Sequence, residues 1–583
     1  MKKNVLLIYP TIIGEIPNSL AMIAGVLKEK GFNVSTAINT FKKAITPHEF
    51  VAKARECEAE IVGIAMLTFQ VLEVYELIRL LKKEGLIVVL GGPHPTDAPK
   101  EVIEAGADIV VRNEGEVTMG ELCDYWSGNP IQSVRMNQVN GSVPWIQKPD
   151  LGYYAGLNIS PDDIVQEKGE GLAAIQGITY RNEDGKIVTN PPRKRVADAE
   201  LAELPSPDFD PFDREAFRQN DSLIRGIHRI YTTRGCPATC TFCDWRVFGQ
   251  RVSFEPMPKL MEEIQRRVDK YGVTNFTIAD DVFTVNKKHV AGFCEAIKKI
   301  QPKVSWQAST RAEFVNLEMA EMMKAAGCYL ISFGIESGDE ETLQRMDKRC
   351  TVEDNYNAVR VGAQAGLQVW ANLMTGFPWE TPQSVANSIK FVRETWDDVY
   401  LFQVSGSLIP FPGTRIYDEY ADEYGFKEYW LEPKRQGYGI QIYQNSVNPY
   451  AVSTYYQRNL FDDSYIQEES FFTYTNEFKE KVKEFVFEVG RHNLETLYPD
   501  NKWKQRLILS TANLSRVLYK SFPNLEKSIA GRIFARRAKQ GKRAKAEAHR
   551  DVKRGVSAKS SAVESRAYIS AKSSALGDRF GDF

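Results

Sequence analysis

The chain has 583 residues, 43% of them hydrophobic and 26% charged, with a formal net charge of −2. At roughly 150 residues per domain that is room for three or four core-forming domains, and the near-neutral balance argues against general binding to polyanions. No run of about 18 apolar residues occurs, so no membrane span is expected. The opening run "VLLIY" ends at Pro10, too short for a signal segment, and reads as a buried first strand.

Residues 1–127 alternate β-branched runs (Val5–Tyr9, Val34–Ile38, Ile61–Met66, Ile87–Leu90, Ile109–Val111) with amphipathic segments (Ser19–Lys30, Pro47–Glu56, Val71–Lys83, Pro99–Ala105). Five strands with four crossovers predict an α/β, doubly wound, Rossmann-like parallel sheet, whose ligands sit beyond the carboxyl ends of its strands. The loops there are 10–18, 67–70 and 91–99, which hold Thr11, Thr68, Gly91, Gly92 and His94. The two glycines would let backbone approach a bulky ligand, or simply make a tight strand-to-helix turn.

Residues 128–213 read as a connector. It holds a hairpin around Asp184-Gly185 within 178–192 and a proline-rich linker, "ELPSPDFDPFD", at 203–213. Segment 128–175 has weak periodicity and resembles an insertion. The βα rhythm returns over 214–425. Strands are predicted at Arg229–Thr233, Asn275–Ala279, Val304–Ser309, Leu330–Gly334, Val369–Met374 and Tyr400–Ser405, with helices near 256–271, 286–299, 316–326, 339–365 and 381–396. Six strands and five helical stretches suggest a partial (β/α)6 barrel with its chemistry at the carboxyl ends of the strands. Residues 426–530 turn aromatic and charged, with helices predicted at 475–497 and 502–520 that would close the barrel's open side and shape a substrate pocket. Residues 531–583 form a basic, low-complexity tail: ten Lys or Arg against two acids over 531–554, then a near-repeat of period 13.

The loop after the first barrel strand, "YTTRGCPATCTFCDWRVFG" (231–249), gathers Cys236, Cys240 and Cys243. The other cysteines (Cys57, Cys123, Cys294, Cys328, Cys350) are scattered, which suits a reducing cytoplasm and a metal-binding cluster rather than disulfides. A structural zinc site wants four protein ligands in close pairs, and neither His228 nor Cys294 gives that spacing. An iron–sulfur cube held by three thiolates keeps one iron open for a further molecule.

C-x3-C-x2-C with an aromatic residue, Phe242, before the third cysteine resembles the motif of the radical S-adenosylmethionine (radical SAM) enzymes. The resemblance implies a 4Fe-4S cluster whose open iron chelates the amino and carboxylate groups of S-adenosylmethionine. It also implies reductive cleavage to a deoxyadenosyl radical, with the electron supplied by a donor such as flavodoxin or ferredoxin. Candidate S-adenosylmethionine contacts lie at successive strand ends: Phe242, then Asp280 and Asp281 in "IADDVFT", Ser309 and Arg311 in "STRAEFV", Glu336 and Ser337 in "FGIESGDEETL", and Gly376 in "MTGFPWET". Taken singly, each carboxylate could equally cap a helix.

The front domain is similar to the cobalamin-binding domain of one large radical SAM subfamily, through "GGPHPT" (91–96) and "VVRNEGEVTMGEL" (110–122). The connector pieces "IQGITYRNEDGKI" and "LPSPDFD" match it too. That adds Glu114, Gly115 and Glu116 to Thr11, Thr68, Gly91, Gly92 and His94 as candidate cobalamin neighbours. Asn113 departs from the commoner glycine. No Asp-x-His-x-x-Gly follows the first strand, so no histidine is expected beneath cobalt, and His94 reads as a loop hydrogen-bonder. The resemblance implies a cytoplasmic, cobalamin-dependent methyltransferase acting on an unactivated carbon or phosphorus of a small molecule. The alternatives are radical oxidation or cyclisation, as in tetrapyrrole ring closure; an RNA methylthiotransferase, which would need a further three-cysteine site where the front domain has only Cys57 and Cys123; and a non-enzymatic sensor with its basic tail on nucleic acid.

Overall fold

In the computed structural model, which describes residues 3–40, 45–129, 170–432 (except 221, 222 and 225) and 471–503 (except 498 and 501), the N-terminal apolar runs form a seven-stranded sheet. Its strands are β1 (Asn4–Ile13), β2 (Asn33–Thr40), β3 (Ile61–Ala65), β4 (Ile87–Gly91), β5 (Ile109–Val111), β6 (Ile178–Arg181) and β7 (Ile187–Thr189), in the order β2-β1-β3-β4-β5-β6-β7. β1 to β5 run parallel. Val5, Leu7, Val62, Ile64, Val88 and Leu90 are buried, as strands covered on both faces require. Helices α1 (Asn18–Glu29), α2 (Pro47–Glu56), α3 (Val71–Lys83) and α4 (Glu116–Trp126) belong to this domain. Thr46 and Glu49 close a capping box at the start of α2.

One feature of the front sheet departs from the sequence reading. The hairpin assigned to the connector adds β6 and β7 to the sheet, antiparallel, with Ile109 opposite Tyr180 and Val111 opposite Ile178. β5 would otherwise present an unpaired edge, and Ile178, Thr179 and Tyr180 are all buried on it.

The second sheet has six parallel strands in chain order: β8 (Arg229–Ile230), β9 (Asn275–Ile278), β10 (Ser305–Arg311), β11 (Cys328–Glu336), β12 (Gln368–Thr375) and β13 (Leu401–Ser407). Helices α5 (Met257–Tyr271), α6 (Lys287–Ile297), α7 (Leu317–Ala325), α8 (Val352–Gln364) and α9 (Pro382–Glu394) connect them. The helix expected over 339–365 is two, Glu340–Arg345 and α8, parted by Asp347 and Arg349 at φ 51° and 57°. The break has a use. Met346 and Asp347 accept hydrogen bonds from Thr241 N (2.9 Å) and Thr239 Oγ1 (2.6 Å), so the interrupted helix grips the cysteine loop.

A last helix, α10 (Asn476–Leu497), covers β13. The Asn493 side chain accepts from Phe402 N at 3.0 Å and donates to Phe402 O at 2.7 Å. Its own Phe478, Val482, Phe485 and Val489 are buried on its inner face. Segment 130–169, the expected helix 502–520 beyond residue 503, and the tail from 531 lie outside the described residues. No described helix is long and apolar enough to cross a membrane.

Candidate active site

The cysteine loop follows β8 and is bracketed by a short antiparallel pair, Thr233–Arg234 with Ser253–Phe254. Gly235 turns into it at φ 93°, and a Cβ there would lie 2.3 Å from Arg251 O, so only glycine fits. Cys236 N donates to Gly249 O at 3.2 Å and closes the base of the loop. Cys236, Cys240 and Cys243 all line one cavity of about 380 Å³ at the carboxyl ends of the barrel strands. None is in a disulfide. Burial pushes the thiols of Cys236 and Cys243 up, and the neighbouring sulfurs push in the same direction. Cys243 shows surface, but surface that faces the cavity. Among the described residues no three His, Cys, Asp or Glu side chains converge on a point as for a single ion. Three thiols spread around a cavity suit separate irons of a cube, which is wider than one ion.

Phe242, Asp281, Ser309, Arg311 and Glu336 line the same cavity. Asp281 accepts from Gly235 N at 3.1 Å. Glu336 sits at φ 62° where the pairing of β11 with β12 slips between Gly334 and Glu336. Its carboxylate faces the cavity, 3.3 Å from Lys348 Nζ.

Three other candidates on that list are not among the lining residues. Asp280 is buried, accepting from Thr232 N (2.6 Å), Thr232 Oγ1 (2.5 Å) and Thr233 Oγ1 (2.9 Å); burial raises it to about 6 against those bonds. Adjacent carboxylates at a strand end point to opposite sides, so one supports the loop and the other faces the cavity. Ser337 is buried against Ser388 Oγ at 3.3 Å. Gly376 N donates to Glu380 at 2.6 Å, in a turn that carries Phe377 edge-on to Phe242, ring centroids 5.8 Å apart. Sequence reasoning missed Ser332 and Asn372, which also line the cavity and are bonded at 2.8 Å. Strand parity could have found Ser332, four residues before Glu336.

A second cavity, about 330 Å³, opens at the carboxyl ends of β1, β3, β4 and β5. Leu7, Ile64, Val89, Leu90 and Met119 make it largely apolar, and Gly91, Gly92, Glu114, Gly115 and Glu116 border it. Gly92, at φ 110°, passes so close to β3 that a Cβ would lie 2.8 Å from Met66 O. Its first reason is therefore backbone packing. Thr11, Thr68 and His94 are not among the lining residues. Thr11 is buried and bonds the Gln70 side chain, and Thr68 is buried in the following turn. His94 is wholly buried, its Nε2 3.6 Å from Glu101 and its ring edge-on to Trp430 at 5.4 Å. No lining residue of this cavity is a histidine.

The two cavities share a wall. Phe248 lines both. The wall is pinned from three sides: Asn113 Nδ2 donates to Arg246 O at 2.9 Å, Arg195 reaches the carbonyls of Arg246 and Val247, and Gly249 N returns to Trp245 O at 2.7 Å. Arg234, next to the cysteine loop, makes buried ion pairs with Glu114 (3.1 Å) and Glu116 (2.9 Å) of the front domain.

Comparison with known proteins agrees with this division. Residues 230–392 match the radical SAM superfamily and residues 15–123 the B12 binding domain. The chain is 29% identical over 410 residues to the uncharacterized methyltransferase PH0819 of Pyrococcus horikoshii, covering 70% of this chain and 78% of that one. It is 23% identical to the anaerobic magnesium-protoporphyrin IX monomethyl ester cyclase of Cereibacter sphaeroides, over 70% of this chain and 60% of the cyclase. The fold is similar to that of the radical S-adenosylmethionine methyltransferase TsrM of Kitasatospora setae, solved with tryptophan substrate and a SAM analogue, at TM-score 0.56, 19% identity, 73% of this chain and 77% of TsrM.

Proposed function

We propose, from the premise that the chain belongs to the radical SAM enzymes that carry a cobalamin-binding domain, that it transfers a methyl group to an unactivated carbon or phosphorus of a small molecule. The observation that carries the reading is the shared wall: the cysteine cavity and the apolar front cavity lie on either side of Phe248. Two cofactors seated there would work on one substrate.

Cys236, Cys240 and Cys243 would hold the 4Fe-4S cluster. Their unpaired thiols around one cavity suit three irons, with space left for the fourth iron's ligand. Phe242, Asp281, Ser309 and Glu336 would contact S-adenosylmethionine, with Ser332 and Asn372 added. Gly91, Gly92, Glu114, Gly115 and Glu116 would border cobalamin, whose flat apolar base suits a glycine-bordered apolar cavity with no histidine. Bound there, the cluster and S-adenosylmethionine supply a hydrogen-abstracting radical and cobalamin supplies the methyl group. The chain's own part is placement. Asp281 fixes the turn into Cys236, Phe377 backs Phe242, and Phe248 keeps the two cofactors apart.

Asp280, Ser337, Gly376, Thr11, Thr68 and His94 would support these loops from behind. The proposed division is 1–127 with the 178–189 hairpin on its sheet, then the rest of the 128–213 connector, the 214–425 barrel, a 426–530 substrate-shaping region and the 531–583 tail. A flavodoxin or ferredoxin class donor in the cytoplasm would supply the electron.

Anaerobic incubation of the reconstituted protein with deuteromethyl S-adenosylmethionine, a low-potential reductant and a small-molecule extract tests the function. The expected result is deoxyadenosine and S-adenosylhomocysteine together, with label on a small molecule. Deoxyadenosine without labelled product would favour the oxidative or cyclising alternative, for which the similarity to the cyclase speaks. Absence of both nucleoside products would leave a sensor.

A further inference from the structure

We infer that Arg311 tunes the reduction potential of the cluster through Cys240, and is a positioning residue rather than an S-adenosylmethionine ligand. This rests on the proposed cluster site. Arg311 is buried at the end of β10, and each of its three guanidinium nitrogens has a partner. Nε donates to Glu313 Oε1 at 2.6 Å, Nη2 donates to Lys348 O, and Nη1 donates to Cys240 Sγ at 3.2 Å. A clamp on the substrate carboxylate would need two parallel N–H groups free on one edge of the fork. Here Nε has given its one N–H to Glu313, so its edge of the fork cannot form such a clamp, and Nη1 and Nη2 have each committed one of their two N–H groups to the protein.

Glu313 and the Lys348 carbonyl would suffice to orient the side chain. The third contact places a fixed cation on a thiol that would bind iron. Lys348, the other cation on this cavity, is paired with Glu336 at 3.3 Å and has no such contact with a cysteine in the described structure. Hydrogen bonds to cluster sulfurs and net local charge are among the factors that set cluster potentials. Reduction adds one electron, from a low-potential one-electron donor, and no bond changes. A cation and an N–H donor at a ligating sulfur stabilise the more negative, reduced state. Removing them should therefore make reduction harder. The interrupted helix that grips the cysteine loop also supplies the Lys348 carbonyl, so the same break that anchors the loop aims the guanidinium.

The test is an anaerobic redox titration of the reconstituted full chain, followed by electron paramagnetic resonance of the reduced cluster, with iron content measured beside it. Arg311→Met is compared with the parent in a Glu313→Gln background, so that an orphaned Glu313 carboxylate does not contribute. The expected result is a more negative midpoint potential at unchanged iron content, with affinity for S-adenosylmethionine unchanged. Arg311→Lys, which keeps the charge but loses the planar fork, should shift the potential in the same direction by less. An unchanged potential in a fully loaded Arg311→Met protein overturns the inference, as does loss of S-adenosylmethionine affinity at unchanged potential. If Arg311→Met takes up no iron, Arg311→Lys decides: an unchanged or raised potential overturns it. A parent protein that takes up no iron refutes the cluster site itself, which is a separate result.

Discussion

Asn113 stands at φ 64°, a left-handed conformation that glycine adopts freely and asparagine tolerates. Its side chain also donates to Arg246 O, so the departure from glycine adds a tie between the front domain and the cysteine loop. Asn113→Gly should lose about 1 kcal/mol, the net worth of one hydrogen bond. Asn113→Ala should lose about 2–3 kcal/mol, because it adds backbone strain of about 1–2 kcal/mol. Urea unfolding of both variants checks the order. Asp280 makes a pH-dependent prediction. Its folded pKa, raised to about 6 by burial, exceeds the unfolded value of about 3.9. Between the two the folded chain binds a proton that the unfolded chain does not. Asp280's contribution to stability is therefore full below about pH 4 and declines as pH rises through about 6, by at most about 3 kcal/mol. Asp280→Asn should flatten that part of a stability-versus-pH curve measured by urea unfolding. A slope unchanged from the parent would show that the carboxyl titrates normally.

At the scale of elements, the strands were legible because each is an apolar run of the right length between turn residues. Strands β8 and β9 and helix α9 fall within a few residues of their expected bounds. Two things were not legible. The β5–β6 pairing joins Val111 to Ile178 across a long insertion, and local patterning carries no record of a distant partner. The helix break near Asp347 depends on what the cysteine loop offers it, through Thr239 and Thr241, not on a helix-breaking residue type. Helix α10 carries its own prediction. Asn493 bonds both backbone groups of Phe402, in strand β13, so Asn493→Ala removes two hydrogen bonds from buried backbone. The expected loss is about 2–4 kcal/mol, two groups at roughly 1–3 kcal/mol each with partial relief by water. Amide hydrogen exchange at Phe402 should accelerate with the loss. Ending the chain near Ile533 instead leaves α10 whole, and that truncation should keep its iron.

At the scale of the molecule, the cysteine motif located the cavity, but the residues around it sorted by facing rather than by type. Asp281 and Glu336 face inward, while their neighbours Asp280 and Ser337 hold the loops from behind. Ser332, Gly334 and Glu336 line the cavity in steps of two, but that parity becomes readable only once one member of the face is known. Two separate cavities lie back to back, one built by three cysteines and the other by the front sheet, and each is proposed to hold its own cofactor. Replacing Cys236, Cys240 and Cys243 together with Ala, then measuring iron and bound cobalamin on the anaerobically reconstituted protein, tests it most directly. The expected result is ~4 iron atoms per parent chain, none in the triple variant, and cobalamin retained in both. A triple variant that keeps its full iron would contradict it.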